Sequence, residues 1–455
     1  MSRLKRLLSG LLVAGPLACV PLPAGSAQPA PGGSADPRPP VAVSLIERAG
    51  QQSARQAIPL YEKALALSEE ALGPDHGALV EILYGLGGAH SALGDYSRAL
   101  TYFQRSLGID EKIFGPHHPG VAVDLNNVAN QQRELGEYAR ALPLYQRSLA
   151  IVEKSFGPDH PDAAISLNNL AVVYENVGAY AEALPLHQRS LAIREKNFGA
   201  VHPSVATSLN NLAGLARATG EYTKALPLYE RSLAIRETVL GPVHPDVAVS
   251  LNNLAGLYRV IGEYAKALPL YQRSLAIVEK TLGPEHPDMA LGFNNLASLY
   301  HSMGEHTKAA PLYERSLVLR EKRFGPVHPD VALALNNLAV LHRDQGNYDR
   351  ALPLYLRSLS ILEKALGAGH PVVAIILNNL AGVYQASGEN AKALPLYERS
   401  MAIREKALGP EHLDFAISLN NLAALYDNMG LGEKALPFFE QALLIASKAG
   451  APEIV

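Results

Sequence analysis

The chain has 455 residues, a formal net charge of −3 and 48% hydrophobic residues. A mildly acidic chain without a basic run lacks the lysine and arginine footprint that nucleic-acid phosphates require, which argues against a nucleic-acid partner. Cys19 is its single cysteine, so an intramolecular disulfide is excluded.

The first element along the chain is a predicted signal peptide at residues 1–27. Three basic residues precede an apolar run over residues 7–18, which is too short and too interrupted to span a bilayer. Two processing sites fit this segment. Signal peptidase would cleave after Ala27, where small residues are available. Alternatively, the residues ending at Cys19 resemble a bacterial lipobox, in which that cysteine is lipidated, although Pro16 departs from the motif.

A proline-rich segment follows at residues 20–40, and its composition predicts a disordered tether. A tether between a lipidated Cys19 and a folded body suits a lipoprotein, so membrane contact is expected only through such an anchor. We therefore expect export from a bacterial cytoplasm, to the periplasm or to a membrane-anchored position. Residence in the cytoplasm is the alternative.

The rest of the chain is a repeat of fixed length. The motif LNNLA, or a close variant, recurs every 42 residues without insertion or deletion. A fixed period of this size indicates a solenoid, in which each unit buries its apolar face against its neighbours. We expect a degenerate leading repeat at residues 41–82 and nine tandem repeats over residues 83–455.

One repeat is predicted to be a pair of antiparallel helices. His244 is followed by a proline, which favours a helix start, and apolar residues at helical spacing continue to Gly262. A second amphipathic helix is expected from about Tyr264, with Pro269 within its first turn or so, where proline is tolerated. Both connections are short, so the two helices are neighbours. The expected fold class is an all-α solenoid.

The pattern of large and small residues in this repeat, with the motifs GEY, ALPLY, RSLAI and GPxHP, resembles the tetratricopeptide repeat. The length of 42 residues resembles the repeats of kinesin light chains and of many bacterial repeat proteins. The resemblance covers about residues 41–450 and implies a right-handed superhelical solenoid that serves as a protein-interaction scaffold. No nucleophile–base pair, phosphate loop or carboxylate cluster stands outside the repeat pattern, so we expect no catalytic residue, no enzyme activity and no cofactor.

The second asparagine of each LNNLA motif is the main candidate for ligand binding. On a helical wheel Asn253 points about 160–180° away from the apolar stripe, whereas Asn252 lies to its side. The resemblance implies that this side lines the concave groove, where a ladder of amides suits the backbone of an extended peptide. The alternative is that the pair bonds between adjacent helices, which we favour for Asn252. The predicted ladder comprises Asn127, Asn169, Asn211, Asn253, Asn295, Asn337, Asn379 and Asn421.

Two further rows accompany the ladder. Val249, Leu291, Leu333 and Ile375 lie on the same wheel face and are expected to form pockets for apolar side chains. The alternative is that the preceding repeat covers them. A row of arginines could pair with a ligand carboxylate, but we interpret them as solvated rim charges. They are Arg133, Arg217, Arg259 and Arg343.

A histidine precedes the first helix of each repeat, again at a spacing of 42 residues. Successive copies should lie on the order of 10 Å apart, too far to share a zinc ion, so we expect no metal site. A role in capping the helix or in packing the loop before it is predicted instead. The residues are His76, His118, His160, His202, His244, His286, His328, His370 and His412.

The sequence is also compatible with a different function, self-association. The last predicted helix carries Phe438, Phe439, Leu443 and Leu444 and has no obvious polar cap. This favours end-to-end self-association, in which the protein would be an assembly subunit that contacts partners through its solenoid ends. The groove hypothesis instead predicts a protein or peptide ligand.

Overall fold

The computed structural model describes residues 36–448. Within that range the chain forms twenty α-helices, one short 3-10 turn at Gly77–Leu79 and no strand. The helices belong to two compact units, one with residues 36–176 and 185–197, the other with residues 177–184 and 198–448. The predicted signal peptide, Cys19 and most of the predicted tether lie outside the described residues.

Helices alternate in two roles along the chain. The first helix of each pair is odd-numbered: α1 Pro40–Gly50, α3 Val80–Ala92, α5 Pro119–Glu134, α7 Pro161–Asn176, α9 Pro203–Ala218, α11 Pro245–Val260, α13 Met289–Ser302, α15 Pro329–Asp344, α17 Pro371–Ala386 and α19 Leu413–Asn428. The second is even-numbered: α2 Ala54–Leu72, α4 Tyr96–Phe114, α6 Tyr138–Phe156, α8 Tyr180–Phe198, α10 Tyr222–Leu240, α12 Tyr264–Leu282, α14 His306–Phe324, α16 Tyr348–Leu366, α18 Asn390–Leu408 and α20 Gly432–Lys448.

Helices pack mainly against the helices that precede and follow them in the sequence. Helix α12 packs against α11, its partner in the pair, and also against α13 of the next pair. The same alternation recurs within each unit, where an even-numbered helix packs against the odd-numbered helices on both sides of it. This arrangement confirms the predicted all-α solenoid.

The boundaries of α11 and α12 follow from local chemistry. The Nδ1 atom of His244 accepts a hydrogen bond from the backbone of Asp246 at 3.1 Å and so caps the first turn. Gly262 separates the two helices with φ +86°, a conformation that favours glycine. One expectation is wrong in detail: Pro269 lies in the second turn of α12, because the helix begins at Tyr264. The helix therefore lacks the backbone hydrogen bond that an amide at this position would make.

The core is assembled from three consecutive helices. Leu251 of α11 is fully buried and clusters with Ile277 of α12 and Phe293 of α13. The hydroxyl of Ser274 donates a hydrogen bond to the backbone oxygen of Ala248 at 2.8 Å, and it ties the two helices of the pair together. Serines at the equivalent position of four other pairs make the same bond.

The part of the chain predicted as a leading repeat contains α1 and α2, and α1 is shorter than the later odd-numbered helices. Ahead of it, Arg38 forms ion pairs with Asp36 and with Glu81, each at 2.6 Å. Within residues 36–448, no helix combines the length and the apolar character that crossing a membrane requires.

Candidate functional site

Within each unit the asparagine pairs form a row across successive odd-numbered helices, and we call the side of those helices that carries them the ladder face. The side-chain amide of the second asparagine donates to the side-chain oxygen of the first asparagine of the preceding repeat, 43 residues earlier. We call each such pair a rung. Rungs join Asn253 to Asn210 at 2.7 Å, Asn337 to Asn294 at 2.8 Å, Asn379 to Asn336 at 2.9 Å and Asn421 to Asn378 at 2.8 Å. In the other unit a rung joins Asn169 to Asn126 at 3.4 Å.

The rungs revise the orientation expected from a helical wheel. Both asparagines of a pair take part in bonds between repeats, not only the first. Residues Asn169, Asn211, Asn295 and Asn379 are buried, and Asn127, Asn253, Asn337 and Asn421 are half-buried. A wheel treats the helix as isolated, whereas here the next odd-numbered helix covers part of the outward face. Whether the ladder also binds a ligand stays a prediction.

One rung in the second unit is open. No hydrogen bond joins Asn295 to Asn252, and the side-chain oxygens of both residues are buried without a partner among the described residues. This pair therefore has the position of a rung without its hydrogen bond.

The predicted apolar row is unevenly exposed. Val249 has 46% of its surface exposed, while Leu291, Leu333 and Ile375 are half-buried. Val249 precedes Asn253 by one helical turn, so the two side chains share the ladder face. The row is neither fully covered by neighbouring repeats nor fully open.

Tyrosines of the even-numbered helices reach the odd-numbered ones, a feature that the sequence reasoning missed. A side-chain carbon added at Gly256 would lie 3.5 Å from the hydroxyl oxygen of Tyr271, so the glycine leaves room for that hydroxyl. The hydroxyl groups of Tyr313 and Ser298 are 2.9 Å apart. Burial raises the pKa of Tyr313 to about 12, so this phenol is neutral at physiological pH. The sequence pattern that could have predicted this contact is the tyrosine of ALPLY together with a small or polar residue directly after LNNLA.

The arginine row is not a set of solvated rim charges. Arg259 is only 5% exposed and Arg133 only 9%, so that interpretation is wrong for both. Arg133 forms an ion pair with Glu134, and Arg343 pairs with Asp344 at 2.9 Å. Arg259 reaches the neighbouring odd-numbered helix, where its Nη1 atom donates to Ser302 Oγ at 3.2 Å, so this side chain packs against the protein instead of extending into solvent.

The periodic histidines act as helix caps, as predicted. All nine accept a hydrogen bond at Nδ1 from the backbone amide two residues later, at 3.0–3.2 Å. Several rings also stack on a preceding phenylalanine, for example His328 on Phe324 with centroids 4.2 Å apart. Between residues 36 and 448 no group of three histidine, cysteine, aspartate or glutamate side chains is placed to hold a metal ion.

Comparison with known families decides the classification. The sequence profile of the tetratricopeptide repeat matches eight stretches, the last seven of which overlap, at residues 44–112, 123–196, 172–238, 204–280, 246–322, 288–364, 330–406 and 372–448. The chain belongs to the tetratricopeptide-repeat family. The tetratricopeptide repeat is a non-catalytic fold for protein–protein interaction, and the chain is a scaffold of that kind.

Three solved structures are similar to this tetratricopeptide-repeat chain. A kinesin light chain of Podosopora anserina with nearly identical repeats is 30% identical, over 45% of this chain and 97% of that one, with a TM-score of 0.38. BtubC (BKLC) from P. vanneervenii is 25% identical, over 51% and 91%, with a TM-score of 0.42. A Rap protein complexed with competence and sporulation factor is 14% identical, over 90% and 98%, with a TM-score of 0.51.

No curated protein sequence matches the chain. The prediction of a tetratricopeptide-repeat protein is confirmed by the profile matches. The likeness to the Rap protein concerns the fold alone.

Proposed function

We propose that this protein binds an extended peptide segment of a partner protein along its ladder face. The observation that carries the proposal is the exposed apolar side chain of Val249, one helical turn from the half-buried amide of Asn253. Apolar pockets beside fixed polar groups are typical of peptide-binding surfaces, because the polar groups bind the backbone and the pockets select side chains.

The rungs leave hydrogen-bonding capacity for such a ligand. An asparagine side chain has two N–H donors and an oxygen that accepts two hydrogen bonds. In the rung from Asn253 to Asn210 only one donor of Asn253 is used. The remaining donor and the oxygen of Asn253 are thus available to a peptide backbone, and the rung holds them in a fixed orientation. The same argument applies to the half-buried Asn421. Asn337 also keeps a free donor, but its oxygen already accepts a hydrogen bond from Asn336 at 3.4 Å.

The test is selection of binders from a displayed library of random dodecapeptides, followed by affinity measurements on variants. The Val249→Asp variant should bind the selected peptides at least about tenfold more weakly than wild type, because a charge replaces an apolar contact. Val318→Asp is the matched control, since Val318 is 59% exposed but lies on the even-numbered helix α14. Equal affinities for both variants would refute binding at the ladder face.

We also propose that the protein is exported, on the strength of its basic start, short apolar run and proline-rich segment. Mass spectrometry of the mature N-terminus, after cell fractionation, distinguishes the forms. A lipid on Cys19 identifies an anchored protein, and a new N-terminus after Ala27 a periplasmic one. An intact N-terminus in the cytosol contradicts export.

A second candidate function is self-association through the final described helix. On α20 the side chains of Leu436, Leu443 and Leu444 are exposed, while Phe438 and Phe439 are half-buried. Exposed leucines in this number favour an apolar contact with another chain. Sedimentation analysis of the wild-type protein and of Leu444→Asp tests this self-association. If the contact exists, the wild-type protein is an assembly and the variant is a monomer. A wild-type protein that is monomeric at high concentration contradicts self-association.

A further inference from the structure

The junction between α12 and α13, where one helix pair meets the next, lacks contacts that the junctions before and after it have. We call it the α12–α13 junction. Its rung is the open one: no hydrogen bond joins Asn295 to Asn252, and both side-chain oxygens are buried without a partner among the described residues. The rungs on either side are made, at 2.7 and 2.8 Å. The missing bond therefore weakens one junction only.

An ion pair between consecutive even-numbered helices is also missing here. At the next junction Arg357 of α16 pairs with Glu321 of α14 at 2.6 Å, and the preceding junction has the equivalent pair. Arg315 of α14 instead stacks on Phe293 of α13, with its guanidinium carbon 4.3 Å from the ring centroid. Within residues 36–448 it forms no ion pair with Glu279 of α12. Phenylalanine replaces the first leucine of LNNLA here, and its ring attracts the guanidinium.

Helix α13 itself starts weakly. Pro287 lies in a turn, whereas the equivalent Pro245 is the first residue of α11. The amide of Ala290 donates to the carbonyl oxygen of Pro287, three residues earlier, at 3.0 Å, which is the tighter 3-10 geometry. Gly292 follows within the helix, where glycine is less favourable than alanine. The first turn of α13 is therefore less stable than that of α11.

The helix pairs on both sides of the junction keep their internal bonds. Within the pair of α11 and α12, Ser274 donates to the backbone oxygen of Ala248 at 2.8 Å. Within the pair of α13 and α14, Ser316 donates to the backbone oxygen of Ala290 at 2.7 Å. The weakness thus lies between two intact helix pairs and not inside either of them.

Apolar packing holds the two pairs together. Leu251 of α11, Ile277 of α12 and Phe293 of α13 share one buried cluster across the junction. Arg259 adds a hydrogen bond to Ser302 Oγ at 3.2 Å. Apolar contact is non-directional, and packed helices tolerate small sliding displacements, whereas rungs and ion pairs fix a particular orientation.

We propose that the α12–α13 junction is a hinge of the solenoid, created by the missing rung and the missing ion pair. When it opens, the pair of α11 and α12 moves relative to the pair of α13 and α14, and each pair moves as an intact body. The motion changes the spacing of the ladder face between Asn252 and Asn295 without breaking a rung. The junctions on either side resist the same motion because their rungs and ion pairs are in place.

Spin labels at matched exposed positions of even-numbered helices test the hinge. Cys19 is first replaced by serine, so that each variant carries two introduced cysteines only. Gln272→Cys with Glu314→Cys spans the α12–α13 junction, and Glu314→Cys with Leu356→Cys spans the next junction as the control. Pulsed electron–electron double resonance should give a distance distribution at least about twofold broader across the α12–α13 junction than across the control.

Two kinds of substitution test the cause. Phe293→Leu removes the ring on which Arg315 stacks, so this arginine should pair with Glu279 and the distribution across the α12–α13 junction should narrow. Arg357→Met removes the ion pair with Glu321 and should broaden the control distribution. Arg315→Met is the matched variant at the hinge and should leave its distribution unchanged, because no ion pair is lost.

Native-state hydrogen exchange is the second measurement. Protection factors of the amides of residues 289–293 should be at least about tenfold lower than those of residues 331–335, the equivalent start of α15. Low protection with equal distance widths would mean that α13 frays without bending, and it overturns the hinge. Equal widths at equal protection, or a broad distribution that Phe293→Leu leaves unchanged, also overturn it. No ligand is used, so these outcomes leave the proposed peptide binding untouched.

Discussion

The side-chain amide of Asn253 donates a hydrogen bond to the side-chain oxygen of Asn210, 43 residues earlier, at 2.7 Å. The repeat is 42 residues long, so successive odd-numbered helices are offset by one residue where they touch. Arg259 to Ser302 and His301 to Asp344 have the same separation. Adjacent asparagines are needed because one member bonds to the repeat before and the other to the repeat after. The bonds between repeats thus account for a residue that helices otherwise disfavour.

We predict that Asn253→Ala and Asn210→Ala are coupled in stability. A double-mutant cycle should give a coupling of about 1 kcal/mol, since both variants remove the same half-buried hydrogen bond. The quantity is the change in the free energy of unfolding, obtained from denaturant melts of the two single variants and the double variant. The open rung of Asn252 and Asn295 is the matched control and should show a coupling close to zero. Equal coupling in both cycles would contradict the role assigned to the hydrogen bond.

The repeat sequence was sufficient to predict the fold because each unit contacts only its neighbours. The helix boundaries at Pro245, Gly262 and Tyr264 follow from caps and glycines, which are local signals. The histidine caps were predictable for the same reason, since His244 acts on an amide two residues away. Nothing beyond one repeat and its period was required.

The site was less predictable because it depends on contacts between repeats. A wheel drawn for α11 alone cannot include the next odd-numbered helix, so it overstated the exposure of Asn295 and placed Arg259 in solvent. The burial of an arginine without an acid partner is also invisible in sequence, since Arg343 has the same position but is followed by Asp344. These features depend on the residues that surround each side chain, in the neighbouring repeat or beside it on the same helix, and not on the consensus.

Removal of one whole repeat should leave a folded, shorter array. Deleting residues 293–334 removes 42 residues and brings Asn337 opposite Asn252, in the place that Asn295 now occupies. Stability should fall by the contribution of one repeat, and helicity per residue should be unchanged by circular dichroism. Deleting 21 residues, 293–313, is the control, because it would place an even-numbered helix where an odd-numbered one belongs. Loss of all cooperative unfolding after the clean deletion would contradict a solenoid held by neighbours.

His328 is predicted to make the protein sensitive to mild acid. Its Nδ1 atom must be unprotonated to accept the hydrogen bond from Asp330 at 3.0 Å. Burial lowers the pKa of His328. The charge of Asp330 opposes this decrease, and the nearby Arg320 and Arg323 add to it. The unfolded state therefore binds more protons just below the ordinary histidine pKa of about 6.5, so stability falls as pH decreases through that value.

His328→Asn keeps an acceptor at the cap and removes the titrating ring. The melting temperature of wild type should fall more between pH 7 and pH 5 than that of the asparagine variant. His328→Ala removes the cap at every pH and should cost about 1 kcal/mol at pH 7. If the asparagine and wild-type proteins lose stability in parallel, protonation of His328 is not the cause.

A buried carboxyl pair joins α4 and α5, and no other repeat has it. Asp110 of α4 and Asp124 of α5 are both buried, and Asp124 accepts hydrogen bonds from the hydroxyls of Tyr84 and Ser106, each at 2.8 Å. The next two repeats have serine in place of Asp124, at Ser166 and Ser208. Burial raises the pKa of Asp124 to about 7 despite those hydrogen bonds, and the proximity of Asp110 adds to the rise. Burial raises the pKa of Asp110 too.

Stability of this part of the chain should therefore decrease as pH rises. A carboxyl whose pKa is higher in the folded state binds more protons when folded, so the free energy of unfolding falls between the unfolded pKa of about 4 and the folded value near 7. Asp124→Asn keeps an oxygen acceptor for Tyr84 and Ser106 but cannot ionise. At pH 8 it should stabilise the protein by on the order of 1–3 kcal/mol, and at pH 4 it should have little effect, because Asp124 is already protonated there.

Hydrogen exchange of the α4 and α5 amides at both pH values measures the local effect. Ser166→Asn, at the equivalent position one repeat later, is the control without a titrating group. A gain for Asp124→Asn that is the same at pH 4 and pH 8 would show that packing, not ionisation, distinguishes the two side chains.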